Sequence, residues 1–165
     1  MSSLRLLNQT EITSSVSSVN ITDVFSADFD IYCYTNDNSY INANLINSSG
    51  SVITDTDYDY AFQNLFSNQS PSTPISSSAD NITGFMDSTQ NDLSAGVVTW
   101  IFNPFNSSYY TFGLSQTIST QNQRAKKAIG VLHQKVSIIG FQLYNTAGDN
   151  LDAGTIRTYG LRVDS

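Results

Sequence analysis

Few residues in this chain are suited to catalysis. It has one histidine, His133, and one glutamate, Glu11. A Ser–His–Asp arrangement would have to use His133, and no nucleophile-elbow sequence accompanies it. The single cysteine, Cys33, allows neither an intramolecular disulfide nor a zinc cluster. We therefore predict no catalytic residue and no bound cofactor, and we place His133 on a strand, against a neighbour or solvent.

Three aspartates at alternate positions form the most distinctive acidic pattern. On a strand, Asp55, Asp57 and Asp59 would share one face, where their charges repel unless a cation lies between them. Calcium binds oxygen ligands of this kind, so the three are weak calcium candidates. A solvated loop with turn-forming aspartates is favoured, because Tyr60 stands where an EF-hand loop requires glycine. A pair of glycosidase carboxylates also stays open, although nothing singles out a pair.

Tyrosines are candidates for binding a carbohydrate, because an aromatic ring packs well against the apolar face of a sugar. The residues proposed for stacking on a glycan are Tyr58, Tyr60, Tyr109 and Tyr110. The alternative is that such residues divide between the core of a sandwich and its cross-strand pairs. The sequence leaves both interpretations open.

The elements that would position these residues are mostly strands. Only 13% of the residues are charged, and Ser, Thr and Asn supply most of the polarity, a composition that favours β-structure and loops. Alternation of apolar and polar residues predicts a strand in "DFDIYCYTN" and another in "YDYAFQNLF". A hairpin is predicted in "SYINANLINSSGSVITDTD", and "GVVTWIFNP" and "SYYTFGLSQTI" are predicted as two more strands joined through "NPFNSS".

The rest of the chain completes an all-β prediction. The segment "SNQSPSTPISSSADN" is typical of a loop, and "STQNQRAKKAIGVLHQKV" is the one helix candidate. The last two strands, "VSIIGFQLYN" and "LDAGTIRTYGLRV", are joined across "NTAGDN". We predict a jelly-roll-like antiparallel β-sandwich of eight to ten strands with little helix. Residues 16–165 would form this single domain, and residues 1–15 an N-terminal arm or first strand.

The closing strand carries two glycines with distinct expected roles. Its odd-numbered residues, from Thr155 to Leu161, should face one way and its even-numbered residues the other. Gly154 would let the chain turn tightly into the strand, and Gly160 would mark a close backbone approach or a bulge. We expect this strand to lie inside the sandwich.

Charge and hydropathy exclude some partners. The net charge of −7 argues against nucleic acid. Residues 1–123 hold eleven acidic side chains and one basic one, whereas residues 124–165 hold three acidic and six basic. This asymmetry is either chance or the sign of complementary acidic and basic faces between subunits. No apolar run could span a membrane, and the N-terminus is too polar for a signal peptide, so we expect synthesis in a cytoplasm and no membrane insertion.

Several segments resemble small virion structural proteins of tailed bacteriophages, especially those that infect marine cyanobacteria. They are "VNITDVFSADFDIYCYT", "YTFGLSQTIS" and, most closely, "AIGVLHQKVSIIGFQLYNTAGDNLDAGTIRTYGLRVDS". The last segment also resembles a pattern that recurs in phage tail-fibre and capsid-fibre modules. This chain departs from that pattern between the glycines, where "DNLDA" fills the interval. Here the pattern is carried by Ile138, Gly140, Phe141, Gly148, Gly154, Ile156, Arg157, Tyr159, Gly160 and Leu161.

The resemblance implies a virion protein and points to no catalytic residue. We therefore predict a non-enzymatic structural or accessory protein on the virion surface, as capsid decoration or a tail or fibre component. Its expected partners are itself, as a homotrimer, other virion proteins and a host surface glycan. The alternative is a carbohydrate-binding module for host recognition, and a polysaccharide-degrading enzyme is the third hypothesis.

Overall fold

Two antiparallel sheets form the fold in a computed structural model that describes residues 4–29, 31–36, 42–83, 95–119, 124–145 and 150–161. These residues contain eleven strands and no helix that could cross a membrane. The strands are β1 (Leu4–Ile12), β2 (Ser18–Ile21), β3 (Ile31–Asn36), β4 (Asn42–Asn47), β5 (Tyr58–Phe66), β6 (Ile75–Ala79), β7 (Ala95–Phe102), β8 (Thr111–Ser119), β9 (Arg124–Leu132), β10 (Ile138–Tyr144) and β11 (Gly154–Leu161).

The strands divide unequally between the sheets. The large sheet has the order β1-β11-β3-β7-β8-β9-β5-β6, and the small sheet has the order β2-β10-β4. Every paired strand is antiparallel to its neighbour. The prediction of an all-β antiparallel sandwich is therefore confirmed, with eleven strands where eight to ten were expected.

The core lies between the two sheets because each presents one apolar face to the other. Ile101 and Ile156 of the large sheet are buried in the same cluster as Phe141 and Leu143 of the small sheet. The residues of β11 alternate between two faces as predicted, and the structure shows that the even-numbered ones from Ile156 to Gly160 are the buried ones. This strand lies between β1 and β3, inside the large sheet.

Glycines in β10 and β11 permit two close contacts. At Gly140 a Cβ atom would overlap the backbone carbonyl oxygen of Ile21 on the neighbouring strand β2. At Gly160 a Cβ atom would lie 2.5–2.8 Å from the ring of Phe29, so the approach predicted there is made by a side chain. Gly154 has φ of 149°, a value that other residues rarely adopt, at the start of β11.

The helix candidate in residues 119–136 is wrong. Its centre is β9, which pairs with β8 on one side and with β5 on the other. Buried Ala128, Gly130 and Leu132 alternate with more exposed residues, which is the period of a strand. The backbone bonds of the two neighbouring strands outweigh the local helix propensity of "RAKKA".

One prediction about a chain connection is also wrong. The Pro/Ser-rich segment, predicted as a loop, contains the edge strand β6. Pro71 and Pro74 of this segment lie just before the strand, where no ladder hydrogen bond is lost. The last two strands, β10 and β11, belong to different sheets and do not pair with each other. The turn of the β4 hairpin is confirmed, with the amide oxygen of Asn47 accepting hydrogen bonds from the backbone of Ser49 and Ser51.

Candidate functional site

The face of the large sheet that is turned away from the small sheet, here the outer face, is unusually apolar. Phe102, Phe112 and Val131 are direct neighbours across β7, β8 and β9, and Asp59 of β5 ends this row. The adjacent row consists of Trp100, Leu114, Ile129 and Ala61, continued by Ile75 on β6.

Many large apolar side chains of the outer face are open to solvent. Ile118 is 73% exposed, Ile75 is 78% exposed and Ile129 is 55% exposed. Monomeric proteins rarely expose a contiguous apolar patch of more than a few hundred square ångströms, so such a face marks a binding surface. The exposed apolar residues that the strand registers place on it are Leu4, Leu6, Leu65, Ile75, Val98, Phe112, Ile118 and Ile129.

A groove of about 480 Å³ lies within the outer face. Its walls include Phe102 and Phe112 on one side and Ile129 and Val131 on the other, and Asp59 lies at its margin. Gly113 and Gly130, which are buried members of β8 and β9, also line the groove. An apolar side chain of a partner would find contacts on several sides here.

Asp59 and His133 form an ion-pair geometry at the end of the groove. The Nε2 atom of His133 lies 2.8 Å from Oδ2 of Asp59, and the rings of Tyr110 and His133 pack edge to face with their centroids 5.4 Å apart. The backbone N–H of Ser78 donates to Oδ1 of Asp59 at 2.9 Å. This hydrogen bond, followed by the one from His133, holds the pKa of Asp59 below its usual range.

The Asp59–His133 pair lies at the surface of the protein. Both side chains are more than two-fifths exposed. Among the described residues, His133 is hydrogen-bonded to no serine, threonine or cysteine that it could activate. Its backbone N–H donates to the carbonyl oxygen of Asp57 at 2.8 Å, which fixes the loop after β9 against the segment before β5. These contacts have the geometry of a structural link between the two segments.

Asp55 and Asp57, the other two aspartates of the predicted calcium site, accept hydrogen bonds from Gln134 and not from His133. The side-chain amide of Gln134 donates to Asp57 at 2.8 Å and to Asp55 at 3.1 Å. Only Asp59 lies on β5, because Asp55 and Asp57 precede it, so the three do not share one strand face. Within the described ranges, no group of three or more His, Cys, Asp or Glu side chains is arranged to hold a metal ion.

Tyr58 is wrong as a glycan-stacking residue because it belongs to the core. Its side chain is 0% exposed, and burial is the main cause that raises the pKa of its phenol. The hydroxyl accepts a hydrogen bond from the backbone N–H of Leu45 at 3.0 Å and donates one to the carbonyl oxygen of Ile53 at 3.1 Å. Tyr58 therefore joins β5 to the edge of β4, to which Ile53 and Ile82 also bind by backbone hydrogen bonds.

The remaining tyrosine candidates have different surroundings. Tyr60 is half-buried on the inner side of β5, with its ring 6.0 Å from that of Phe62. Tyr109 and Tyr110 follow the turn between β7 and β8 and are 60% and 36% exposed. Their glycan-stacking role stays a prediction, with Tyr109 the more accessible ring.

Two residues of the terminal pattern also lie on the outer face. Arg157 donates to Oε1 of Gln9 on β1 at 3.1 Å, and Tyr159 lies opposite Leu6 of the same strand. Both side chains therefore contribute to the end of the outer face that is farthest from Asp59. Both residues belong to β11, and the contacts described here give them a structural role.

The sequence predictions missed the outer face, although β7 carries a signal for it. Val97 and Ile101 point to the core, while Val98, Trp100 and Phe102 alternate with them and point outward. A strand with apolar residues on both faces is typical of a position buried on both faces. Strand prediction uses this run as one signal and does not separate its two faces.

Comparisons with known proteins add little to this description. No family model matches the chain, and no curated protein matches it. Among solved structures, the crystal structure of the marine PL-14 alginate lyase from Aplysia kurodai is similar over 84% of this chain and 70% of that chain. Its TM-score is 0.33 and its sequence identity is 5%, a likeness that carries no inference about function.

Proposed function

We propose that this protein is a non-enzymatic structural subunit of a bacteriophage particle, mounted on the surface as capsid decoration or as part of the tail or a fibre. The observation that carries the proposal is the exposed outer face, which crosses most of the large sheet. A soluble monomer gains nothing from exposing Ile118 and Ile129 to water, whereas an assembled subunit buries them. The assignment to a virion rests on the resemblance of the sequence segments.

The proposal predicts that the protein copurifies with particles and does so through the outer face. Mass spectrometry of gradient-purified particles, from a phage that encodes this chain, should detect the wild-type protein after salt washing. A phage that encodes Ile129→Lys should yield particles depleted of it, because a charge then lies in the middle of the apolar rows.

The matched control is Ser17→Lys, an exposed position beside β2 on the small-sheet side. Particles should retain this variant at the wild-type level, because it adds the same charge away from the outer face. Absence of the wild-type protein from purified particles contradicts the proposed function. Equal retention of both variants contradicts the role of the outer face.

We further propose host-glycan binding as a second candidate function, because Tyr109 is 60% exposed beside the second exposed ring of Tyr110. Nearby polar groups include Lys135, whose ammonium lies 5.6 Å from the centre of the Tyr110 ring. A glycan array should identify ligands, and calorimetry should show that Tyr109→Ala binds them at least about tenfold more weakly. Tyr60→Phe, which alters a half-buried ring of the inner side, is the control. A blank array contradicts this candidate.

A further inference from the structure

We infer that the occupant of the outer face is a second copy of this chain, related by a twofold axis that lies in the interface and runs across the strands. The inference rests on the proposed function only in taking the outer face to be buried in an assembly. It adds the identity of the partner and the orientation of its strands.

The first support is that the outer face carries both a groove and the side chains to fill it. The groove lies at the Phe112 end of β8, and Ile118 projects at the opposite end of the same strand. Leu65 projects beside Ile118, two strands away on β5. Phe112 and Ile118 are six residues apart, which is about 20 Å along a strand.

A twofold axis across the strands makes these two ends meet. It reverses the strand direction of the second copy, so that its Ile118 lies over Phe112 of the first copy and its Leu65 lies over Asp59 and the groove margin. The same contacts repeat at the other end of the interface, because an isologous interface uses one patch twice. Each groove therefore receives the exposed side chains of the other copy.

The second support is the charge of the outer face. Its described ionisable side chains are acidic at Glu11 and Asp59 and basic at Lys127 and Arg157, so the face is neutral although the chain carries −7. The twofold axis brings Lys127 of one copy to within one strand and one residue pair of Asp59 of the other. Opposite charges thus meet at the groove margin, and the apolar rows meet between them.

The third support is size. Eight strands at the usual spacing extend over about 34 Å, and strands of eight residues are about 27 Å long. The outer face therefore offers about 900 Å² from each copy, against about 800 Å² per partner in a stable interface of standard size. Two sheets packed face to face at about 10 Å would resemble a second sandwich core.

The test is a pair of variants that fail alone and recover together. Ile118→Asp places two aspartates over phenylalanine rings in the homodimer, and Phe112→Lys places two lysines under isoleucines. Each should raise the dissociation constant of the dimer by about 100-fold. In a mixture, the heterodimer has one native contact and one contact between the new lysine and the new aspartate, so it should form preferentially.

Native mass spectrometry distinguishes these species by mass, and thermal unfolding establishes that each variant is folded. If either variant does not fold, Ile129→Lys alone tests whether the outer face forms the interface by dissociating the dimer, and Ser17→Lys is the control that should stay dimeric. A monomeric or trimeric wild type at about 10 µM overturns the inference. So does a mixture that remains monomeric, because the contact between positions 112 and 118 is then absent.

The outcomes separate this inference from the proposed function. A protein that is monomeric in solution but present in purified particles overturns the second-copy occupant and leaves the virion role standing. A protein that is dimeric in solution but absent from purified particles overturns the virion role and leaves the second-copy occupant standing. The homotrimer expected from the sequence differs from this dimer in measured mass.

Discussion

Removing the hydroxyl group of Tyr58 is the sharpest test of the packing between the sheets. In Tyr58→Phe the ring stays, but the backbone N–H of Leu45 loses its acceptor and the carbonyl oxygen of Ile53 loses one of its two donors, keeping the side-chain amide of Asn44. The site is inaccessible to solvent, so water cannot replace the lost partner without rearrangement. The link that this hydroxyl makes between β5 and the β4 edge should weaken first.

The magnitude follows from the two hydrogen bonds. Each is worth about 1 kcal/mol net, and a buried N–H left without a partner costs about 1–3 kcal/mol, so we expect a loss of about 2–3 kcal/mol. For a domain of this size the melting temperature should fall by about 4–12 °C. Urea unfolding should show a lower midpoint with an unchanged slope.

Tyr60→Phe removes the same atom from a half-buried ring for which no hydroxyl hydrogen bond is found among the described residues. It should change the free energy of unfolding by less than about 0.5 kcal/mol. Equal losses for Tyr58→Phe and Tyr60→Phe would refute the reasoning, since burial and hydrogen bonding would then carry no weight.

The same pair of proteins has a predictable pH dependence. Burial raises the pKa of Tyr58 in the folded state, so its stabilising contribution is fully present below pH 10, about the ordinary pKa of tyrosine. Above that pH the unfolded chain releases the proton and the folded chain keeps it. The advantage of the wild type over Tyr58→Phe should therefore shrink by about 1.4 kcal/mol per pH unit above pH 10. A constant difference from pH 8 to 11 would refute this linkage.

Two further outcomes are expected. Gly160→Ala should cost about 1–3 kcal/mol because its methyl group meets the ring of Phe29, whereas Gly96→Ala, with open space around it, should stay within about 0.5 kcal/mol; chemical denaturation measures both, and equal costs contradict the contact. In His133→Ala the pKa of the Asp59 carboxyl should rise but stay below its ordinary range, because the hydrogen bond from the β6 backbone remains; NMR titration measures it, and an unchanged pKa contradicts the pairing.

The strands could be predicted where the signal is local. Alternation identified β7 and β8 as consecutive strands, and it separated Ile156 and Thr158 of β11 from the residues of its other face without assigning which face is buried. These features depend on residues that are close together in the sequence, so one sequence is enough to predict them. The polar turn residues at Asn47 and Gly50 mark their hairpin for the same reason.

Predictions failed where distant segments decide the structure. The helix candidate became β9 because β5 and β8 lie on both sides of it, and no residue in the segment encodes those neighbours. The contact of Asp59 with His133 joins residues 74 positions apart. Likewise, Tyr58 and Tyr109 are the same residue type, but Tyr58 lies in the core beside the edge of β4 and Tyr109 is exposed to solvent.

The charge asymmetry of the sequence illustrates the same limit. The cluster of basic residues after residue 123 left open whether it forms one basic face, and strand alternation divides adjacent lysines between the two sides of β9. Lys126 lies on the inner side, 4.3 Å from the centre of the Phe62 ring, and Lys127 lies on the outer face. Clustering along the chain therefore does not produce clustering on a surface when the chain is a strand.

The apolar content of β7 connects the sequence to the proposed assembly. Val97 and Ile101 are covered by the small sheet, which accounts for one side of the strand. Val98 and Trp100 on the other side have no such cover within the described residues. Folding alone does not explain their apolar character, because a solvated outer face would be served by Ser, Thr and Asn, which this chain has in abundance. A second copy laid across these rows would give both sides of the strand the same physical reason to be apolar.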